Sequence, residues 1–180
     1  IPDSVTKIGD YAFKSCNLTS VFITDLSIWC NIDFEDNPLC YGAKLYIDNT
    51  EVTELIIPSD ISEIKQKAFY GYSGLTSVTI GDSVTTIGAQ AFGKCNGLTS
   101  VIIGNSVTAI GERAFDTCKS LSNITIGNKV NTIGKEAFAN CDSLTHITIP
   151  EGVTNIEESA CQSCDGLTSV TIPDSVTTIG

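Results

Sequence analysis

The chain has 180 residues, of which 42% are hydrophobic and 17% are charged, a balance typical of proteins that bury a core rather than of disordered chains. Its formal net charge is −11, and the ten basic residues are scattered. This charge argues against nucleic acid as a partner, because phosphates are bound by clusters of Lys and Arg. No apolar stretch approaches the roughly 20 residues that span a bilayer, so no membrane insertion is predicted.

The two ends of the chain are almost the same, IPDSVTKIG and IPDSVTTIG. The sequence also has no Met and no leader with a basic start and an apolar centre. We therefore expect a fragment of a longer array that forms a single domain over residues 1–180.

A 23-residue repeat runs through most of the sequence. Five consecutive units begin with a leucine, at Leu75, Leu98, Leu121, Leu144 and Leu167. Val52 begins an earlier unit in the same phase, so the regular repeats start at residue 52. Leu18 begins an irregular unit of 34 residues, 18–51, which is about half a repeat longer than the others. Such an array predicts a solenoid in which each unit is one coil that covers the core of the next.

Each unit predicts two short strands. Residues 75–80 alternate between apolar and polar side chains, as expected for a strand with one buried face. A second apolar pair, Val84 and Ile87, follows a turn at residues 81–83. A short helix-compatible segment then leads to Phe92. Equivalent phenylalanines in the other units are expected to stack into a spine: Phe13, Phe69, Phe115 and Phe138.

The pattern L-x-x-V-x-I-P-x-S-V-x-x-I-G-x-x-A-F-x-x-C, found at residues 167–180 and across 75–166, resembles the BspA-like class of leucine-rich repeats. The irregular unit is similar to a longer repeat variant of the same family. The resemblance implies a right-handed leucine-rich repeat superhelix of short parallel β-strands, turns and short helical segments. It also implies a bacterial protein, secreted or attached to the cell surface, that adheres to host extracellular-matrix proteins.

One departure from the wider leucine-rich repeat pattern lies at the turn after the first strand. Other leucine-rich repeats place an Asn there, whose buried amide caps the turn. This sequence has serines near that point, at Ser83, Ser106 and Ser175. We expect their hydroxyl groups to bond the turn backbone instead.

Eight cysteines invite a disulfide or metal interpretation. Five occupy one repeat position and should form a column: Cys16, Cys95, Cys118, Cys141 and Cys164. Side chains that point the same way disfavour disulfides and zinc sites, so buried free thiols are expected there. Cys161 and Cys164 have the spacing of a redox motif, but Cys161 stands where other units have the spine Phe. For Cys30 and Cys40, in the irregular unit, a disulfide stays open, with two free thiols favoured.

The sequence offers no convergent acid, base and nucleophile, so we predict no enzymatic activity, no cofactor and no metal site. The single histidine, His146, stands at an outward strand position with no fixed partner. The acidic loop at residues 33–37 has oxygen ligands suited to calcium, but a solvated loop is the favoured interpretation. Glycan acceptor patterns at Asn17 and Asn123 would matter only for a eukaryotic secreted protein.

The outward residues of the first strands form two rows dominated by Ser and Thr. Apolar residues interrupt these rows, and exposed apolar residues on a repeat lattice are typical of binding surfaces. We therefore predict a protein-binding face that comprises Phe22, Ile56, Ile102, His146 and Trp29. The alternative is that the irregular unit folds over and buries its aromatic residues and Phe22. As a function, the sequence predicts a non-enzymatic protein-binding module. A structural spacer that presents other domains is the alternative.

Overall fold

In the computed structural model, which describes all residues from 1 to 180, the chain winds into a β-solenoid of about eight turns. Each regular coil has three sides: a first strand, a second strand and a run of consecutive turns. Nearly all strand pairs are parallel and join equivalent positions of neighbouring coils. The predicted repeat solenoid is therefore confirmed. Neither helix has the length and apolar character that a membrane crossing requires.

The elements in chain order are β1 (Lys7–Ile8), β2 (Ser20–Ile23), α1 (Leu26–Cys30), β3 (Asp33–Phe34), a 3-10 helix (Pro38–Tyr41), β4 (Lys44–Ile47), β5 (Thr50–Glu51), β6 (Glu54–Ile56), β7 (Glu63–Ile64), β8 (Ser77–Ile80), β9 (Thr86–Ile87), β10 (Ser100–Ile103), β11 (Ala109–Ile110), β12 (Asn123–Thr125), β13 (Thr132–Ile133), β14 (His146–Thr148), β15 (Asn155–Ile156), β16 (Ser169–Thr171) and β17 (Thr178–Ile179).

The strands form two faces of the solenoid. The first face holds three sheets, ordered β2-β4-β5, β6-β8-β10-β12 and β14-β16. The second face holds a β1-β3 pair and one six-stranded sheet, ordered β7-β9-β11-β13-β15-β17. The first face is thus divided after β5 and after β12. The second face is divided at the first of these places, between β3 and β7, and is continuous from β7 to β17 at the second.

The strand alternation follows the sequence pattern. Val78 and Ile80 point into the core and are almost fully buried, while Thr79 between them is exposed. Ser77 pairs with Ser100, so identical repeat positions lie side by side. Burying branched apolar residues from every coil in one continuous layer supplies the main stabilisation of the array.

Threonine recurs immediately before the strands because its hydroxyl group joins neighbouring coils. The Thr76 hydroxyl donates to the carbonyl oxygen of Thr53 at 2.9 Å, and the Thr168 hydroxyl donates to that of Thr145 at 3.0 Å. On the second face, the Thr177 hydroxyl donates to the Thr154 carbonyl at 3.0 Å. We call these rows the threonine ladders. They join successive coils through side chains as well as through the strand backbone.

The third side of the coil is a run of turns, not the helix-compatible segment predicted before Phe92. The Ala91 amide donates to Gly88 within the coil, whereas the Phe92 amide donates to Ala114 of the next coil at 2.8 Å. This alternation requires left-handed backbone at intervening residues, with φ of 56° at Gln90 and 60° at Lys94. The helices that do form, α1 and the 3-10 helix, both lie in the irregular unit.

The predicted phenylalanine spine is present under this turn side. Phe69, Phe92, Phe115 and Phe138 are all fully buried. Successive rings are stacked nearly parallel, with centroid separations of 5.3, 5.3 and 5.6 Å. Phe13, in the first coil, is only partly buried against the core.

The turn after the first strand is held partly by Asp and Asn. Asp82 Oδ1 accepts the Asn105 amide at 2.7 Å, and Asn105 Oδ1 accepts the Asn128 amide at 3.1 Å. We call this the Asp/Asn row. Of the predicted serines, Ser175 donates to the Val153 carbonyl at 2.8 Å. Ser83 and Ser106 make no such bond, so the serine prediction is wrong for those two residues.

The irregular unit is one coil followed by a hairpin, rather than one coil and a further half repeat. Ser20 of β2 pairs with Lys44 of β4, about one repeat later. The chain then reverses at Asp48 and Asn49, both left-handed with φ of 48° and 61°, and β5 pairs antiparallel with β4. Two successive residues with positive φ are typical of a tight type I′ hairpin turn. The hairpin ends the β2-β4-β5 sheet before β6 begins.

Candidate binding face

Three of the predicted residues are exposed apolar side chains on the first face. Phe22 is 52% exposed, Ile56 is 73% exposed and Ile102 is 48% exposed. Their neighbours in the outward rows are mostly Ser and Thr. The interpretation that the irregular unit buries Phe22 is therefore wrong.

Phe22 is part of an aromatic pair. The register of β2 and β4 places Tyr46 beside it, and the two rings stack with centroids 5.1 Å apart and an interplanar angle of 23°. The alternative prediction, that the irregular unit buries its aromatic residues, includes Tyr46, which is only half-buried. The signal was available, because Leu45-Tyr46-Ile47 has the same alternation as Val21-Phe22-Ile23.

Ile56 borders a cleft at the place where the hairpin separates β4 from β6. The cleft has a volume of about 440 Å³. Apolar side chains line it, namely Leu26, Ile47, Val52 and Ile56. Acidic residues at the same cleft are Asp48, Glu51 and Glu54. Glu51 is paired with Lys44 at 2.8 Å, which leaves Asp48 and Glu54 without an ion-pair partner.

Ile102 continues the apolar row beyond the cleft. Strand register places Thr79 between Ile56 and Ile102, so the two isoleucines are two strands apart. At the usual strand spacing of about 4.8 Å, their backbones lie roughly 10 Å apart. The row from Phe22 to Ile102 therefore presents separated apolar contacts on a polar sheet.

Trp29 is not on this face, so its assignment to the binding site is wrong. Its side chain is fully buried, packs against Phe34 with ring centroids 4.9 Å apart, and donates from Nε1 to the Ala68 carbonyl at 2.8 Å. In the next coil, the equivalent carbonyl of Ala91 accepts the backbone amide of Phe69. The indole thus replaces a backbone donor that the irregular unit does not supply.

Asn37 supplies a second side-chain donor to the Ala68 carbonyl oxygen, a role that was not predicted from the sequence. It is the only buried polar residue of the chain. Its Nδ2 donates to the carbonyl oxygens of Lys67 and Ala68, both at 2.8 Å, while its Oδ1 accepts the Leu39 amide. Asn before Pro in a loop gives only a general turn signal, so this role has no sequence pattern of its own.

His146 is exposed on β14, as its strand position predicts. Its ring Nδ1 lies 3.4 Å from the Thr145 hydroxyl, and it has no other side-chain partner. On the first face, β4, β6, β8, β10 and β12 lie between its strand and that of Phe22, so the predicted residues do not form one compact patch.

The acidic loop is engaged by side chains of neighbouring coils. Asp33 pairs with Lys65 at 2.5 Å, and Glu35 pairs with Lys7 at 2.6 Å. The hydrogen bond from Lys7 lowers the pKa of Glu35. Asp36 accepts the Tyr41 hydroxyl at 2.6 Å. No three His, Cys, Asp or Glu side chains of the chain are arranged to hold a metal ion.

The cysteine column joins coils through thiol hydrogen bonds. Each thiol donates to a spine carbonyl of the coil before it: Cys95 to Phe69, Cys118 to Phe92, Cys141 to Phe115 and Cys164 to Phe138, at 3.0–3.3 Å. Burial raises the pKa of Cys118 to about 12, so its nucleophilic thiolate is scarce at neutral pH. Cys16 differs from the prediction, because it is exposed.

The remaining cysteines are also free thiols. Cys30 is fully buried, and burial raises its pKa to about 12. Cys40 is partly buried and donates to Asp36 Oδ1 at 3.6 Å; burial raises its pKa to about 11. Burial also raises the pKa of Cys161 to about 11.

The fold, with its threonine, cysteine and phenylalanine columns, is that of a leucine-rich repeat protein. The chain belongs to the BspA type leucine-rich repeat family, whose model matches residues 1–71 and 62–180. A search of curated proteins found no match. A leucine-rich repeat protein of T. pallidum is 32% identical over 67% of this chain and 59% of its own, with a TM-score of 0.66.

Two further solved structures are similar over nearly the whole chain. A leucine-rich cell surface protein of Faecalibacterium prausnitzii is 28% identical over 94% of this chain, with a TM-score of 0.73. A leucine-rich repeat protein of Bacteroides ovatus is 28% identical over 100% of this chain, with a TM-score of 0.71. The match covers 52% and 50% of those two proteins, so this chain spans about half their length.

Proposed function

We propose that this chain is a non-enzymatic protein-binding module of a secreted or surface-attached bacterial protein, and that it contacts its partner through the first face from β2 to β10. The observation that carries the proposal is the row of exposed apolar side chains, Phe22, Ile56 and Ile102, on a lattice of Ser and Thr, with the half-buried Tyr46 stacked on Phe22. Large apolar side chains on a rigid sheet supply binding energy at little entropic cost.

The cleft beside Ile56 adds a charge preference to this face. Asp48 and Glu54 stand next to apolar walls, and the chain as a whole carries a net charge of −11. A basic partner surface is attracted by this potential, and the attraction weakens as salt screens it. We propose host extracellular-matrix proteins as the partners, which rests on the family and on the cell surface protein among its structural relatives.

The test is titration of the immobilised chain with fibronectin and with fibrinogen, at low and physiological salt. The variant Phe22→Ala with Ile56→Ala removes two side chains of the proposed contact. The matched control is Tyr11→Ala with Ile179→Ala, which removes an aromatic and an aliphatic side chain of similar exposure elsewhere. We expect the first variant to weaken binding at least about tenfold and the control to leave it unchanged.

Equal affinities for the two variants would overturn the assignment of the face. Absence of saturable binding to either matrix protein would overturn the proposed partners. If a broader panel of extracellular proteins also failed to bind, the spacer function would replace the binding function.

A further inference from the structure

The first face opens between β12 and β14, although the rest of the solenoid is continuous there. β12 pairs only with β10, and β14 pairs only with β16. On the second face of the same coils, Thr132 of β13 is paired with Asn155 of β15. On the turn side, the Phe138 amide donates to Ala160 at 2.8 Å. We call the gap between β12 and β14 the seam.

The threonine ladder of the first face and the Asp/Asn row stop at the seam as well. Thr145 makes no ladder bond to Ser122; its hydroxyl instead lies 3.4 Å from the ring of His146. The Asp/Asn row ends at Asn128, whose side chain does not accept the amide of Glu151, the residue at the next equivalent position. Backbone, hydroxyl and carboxamide contacts of the first face are thus interrupted together, whereas on the second face the Thr154 hydroxyl still donates to the Asn131 carbonyl at 3.4 Å.

Both walls of the seam carry unused backbone hydrogen-bonding groups. The amides of Ile57 and Ile149 donate to Thr79 and Thr171 of the following coils, at 3.0 and 2.9 Å. The amide at the same position on the seam, Ile126, makes no backbone hydrogen bond, and neither does the Thr145 amide on the opposite wall. Unpaired strand edges are templates for pairing with another extended chain.

A cleft also adjoins the seam. It has a volume of about 620 Å³ and is lined by residues of the β12, β14 and β16 coils, including Ile124, Ile126 and Ile149. Ile124 is only partly buried, whereas its equivalents Val78 and Val101 are 1% exposed. An occupant with alternating apolar side chains would cover these isoleucines.

The charge of the cleft favours a basic occupant. Glu151 and Asp174 line it, and no Lys or Arg does. Neither carboxylate has an ion-pair partner among the salt bridges of the chain. From the unused backbone groups, the partly buried Ile124 and this charge, we propose that the seam binds an extended peptide segment with basic residues, which adds to the first face as a strand.

This site is separate from the face between β2 and β10, so either proposal can fail without the other. The first measurement is hydrogen exchange of the free chain. We expect the amides of Thr145 and Ile126 to exchange much faster than the Ile57 and Ile149 amides, which are bonded. Protection equal to that of Ile57 would show that the seam is closed in solution, and the proposal would fall.

The second measurement is binding of fluorescent eight-residue peptides by anisotropy. The probe alternates Lys with Val; one control peptide has Glu in place of Lys, and another carries N-methyl groups on alternate amides. We expect the Lys peptide to bind and to slow exchange at Thr145 and Ile126. Each control should bind at least about tenfold more weakly, because it loses the charge or the strand hydrogen bonds.

The matched variants distinguish peptide binding at the seam from general attraction between a basic peptide and the acidic chain. Glu151→Gln with Asp174→Asn should weaken the Lys peptide several-fold, whereas Glu63→Gln with Glu112→Gln, the same charge change elsewhere, should not. Equal binding of the N-methylated and unmodified peptides, or equal loss in both variants, would overturn the proposal. The N-methyl comparison decides even if a variant is poorly folded, because it uses the unaltered chain.

Discussion

The Thr99 hydroxyl donates a hydrogen bond of 3.0 Å to the backbone carbonyl oxygen of Thr76, the residue at the same position of the preceding coil. Each of these threonines therefore joins neighbouring coils in two ways, through its backbone and through its side-chain hydroxyl. The relationship explains why threonine follows the first leucine in most units, and it supplies the first stability prediction.

Thr99→Val keeps the branched shape but removes the donor. We expect the free energy of unfolding to fall by about 0.5–1.5 kcal/mol, as for other single hydrogen bonds. Urea unfolding followed by circular dichroism would measure it. The control is Thr79→Val, at an outward position with no ladder bond, which should change the stability by less than about 0.5 kcal/mol. Equal effects of the two substitutions would show that the ladder does not stabilise the array.

Phe115→Ala should be among the most destabilising single substitutions. The ring is fully buried and stacked on Phe92 and Phe138, so its removal leaves a cavity between two coils. We expect a loss of about 3–5 kcal/mol. The same change at Phe13, which is only partly buried, should cost clearly less. The ranking of the two midpoints in urea is the test, and the reverse order would contradict a continuous spine.

Asn37→Ala and Trp29→Phe compare two donors to one carbonyl. Asn37→Ala leaves the Lys67 carbonyl without its side-chain donor and removes the acceptor of the Leu39 amide, so we expect a loss of about 2–3 kcal/mol. Trp29→Phe should cost less, about 1 kcal/mol for its hydrogen bond, because Ala68 still accepts from Asn37. Unfolding midpoints of both variants would test this order. A larger loss for Trp29→Phe would show that the indole's packing dominates.

The buried thiols predict a loss of stability at alkaline pH. A thiol has an ordinary pKa of 9.0, and burial raises the pKa of Cys118 to about 12 in the folded chain. The contribution of the protonated Cys118 thiol to the free energy of unfolding is fully present below pH 9.0. It is lost as the pH rises towards about 12, because the thiol of the unfolded chain ionises first. Unfolding free energies measured from pH 8 to 11 should fall less steeply for Cys118→Ala than for the unaltered chain. Parallel slopes would contradict a buried, protonated thiol.

The regular coils were predictable because each role has a fixed repeat position. Val78, Phe92 and Cys95 recur every 23 residues in the sequence, and one unit cannot bury them alone. The turn side was predicted less well, because Ala91-Phe92 is compatible with a helix by composition. Stacking decides against a helix there, since alternate amides are needed for bonds to the next coil.

The irregular unit and the seam were beyond sequence reasoning for different reasons. An aromatic residue such as Trp29 is typical of a surface binding anchor. Its actual position depends on a hydrogen bond to the carbonyl oxygen of Ala68, a residue 39 positions away. The seam lies in a unit whose Leu144, Ile147 and Ile149 follow the repeat rule without exception. The separation of the two coils is visible only in how they pack against each other, and the repeat pattern of the sequence does not specify that packing.

The division of the first face makes the molecule mechanically directional. After β5 both faces are interrupted, because β3 pairs only with β1, whereas after β12 only the first face is interrupted and β7 to β17 of the second face form one sheet. Bending that widens the first face at the break after β12 requires no strand pairing to break, whereas bending the other way stretches the unbroken second-face sheet. The array is therefore more compliant in one sense than in the opposite sense at that break, and a pulling or wrapping load is taken up there.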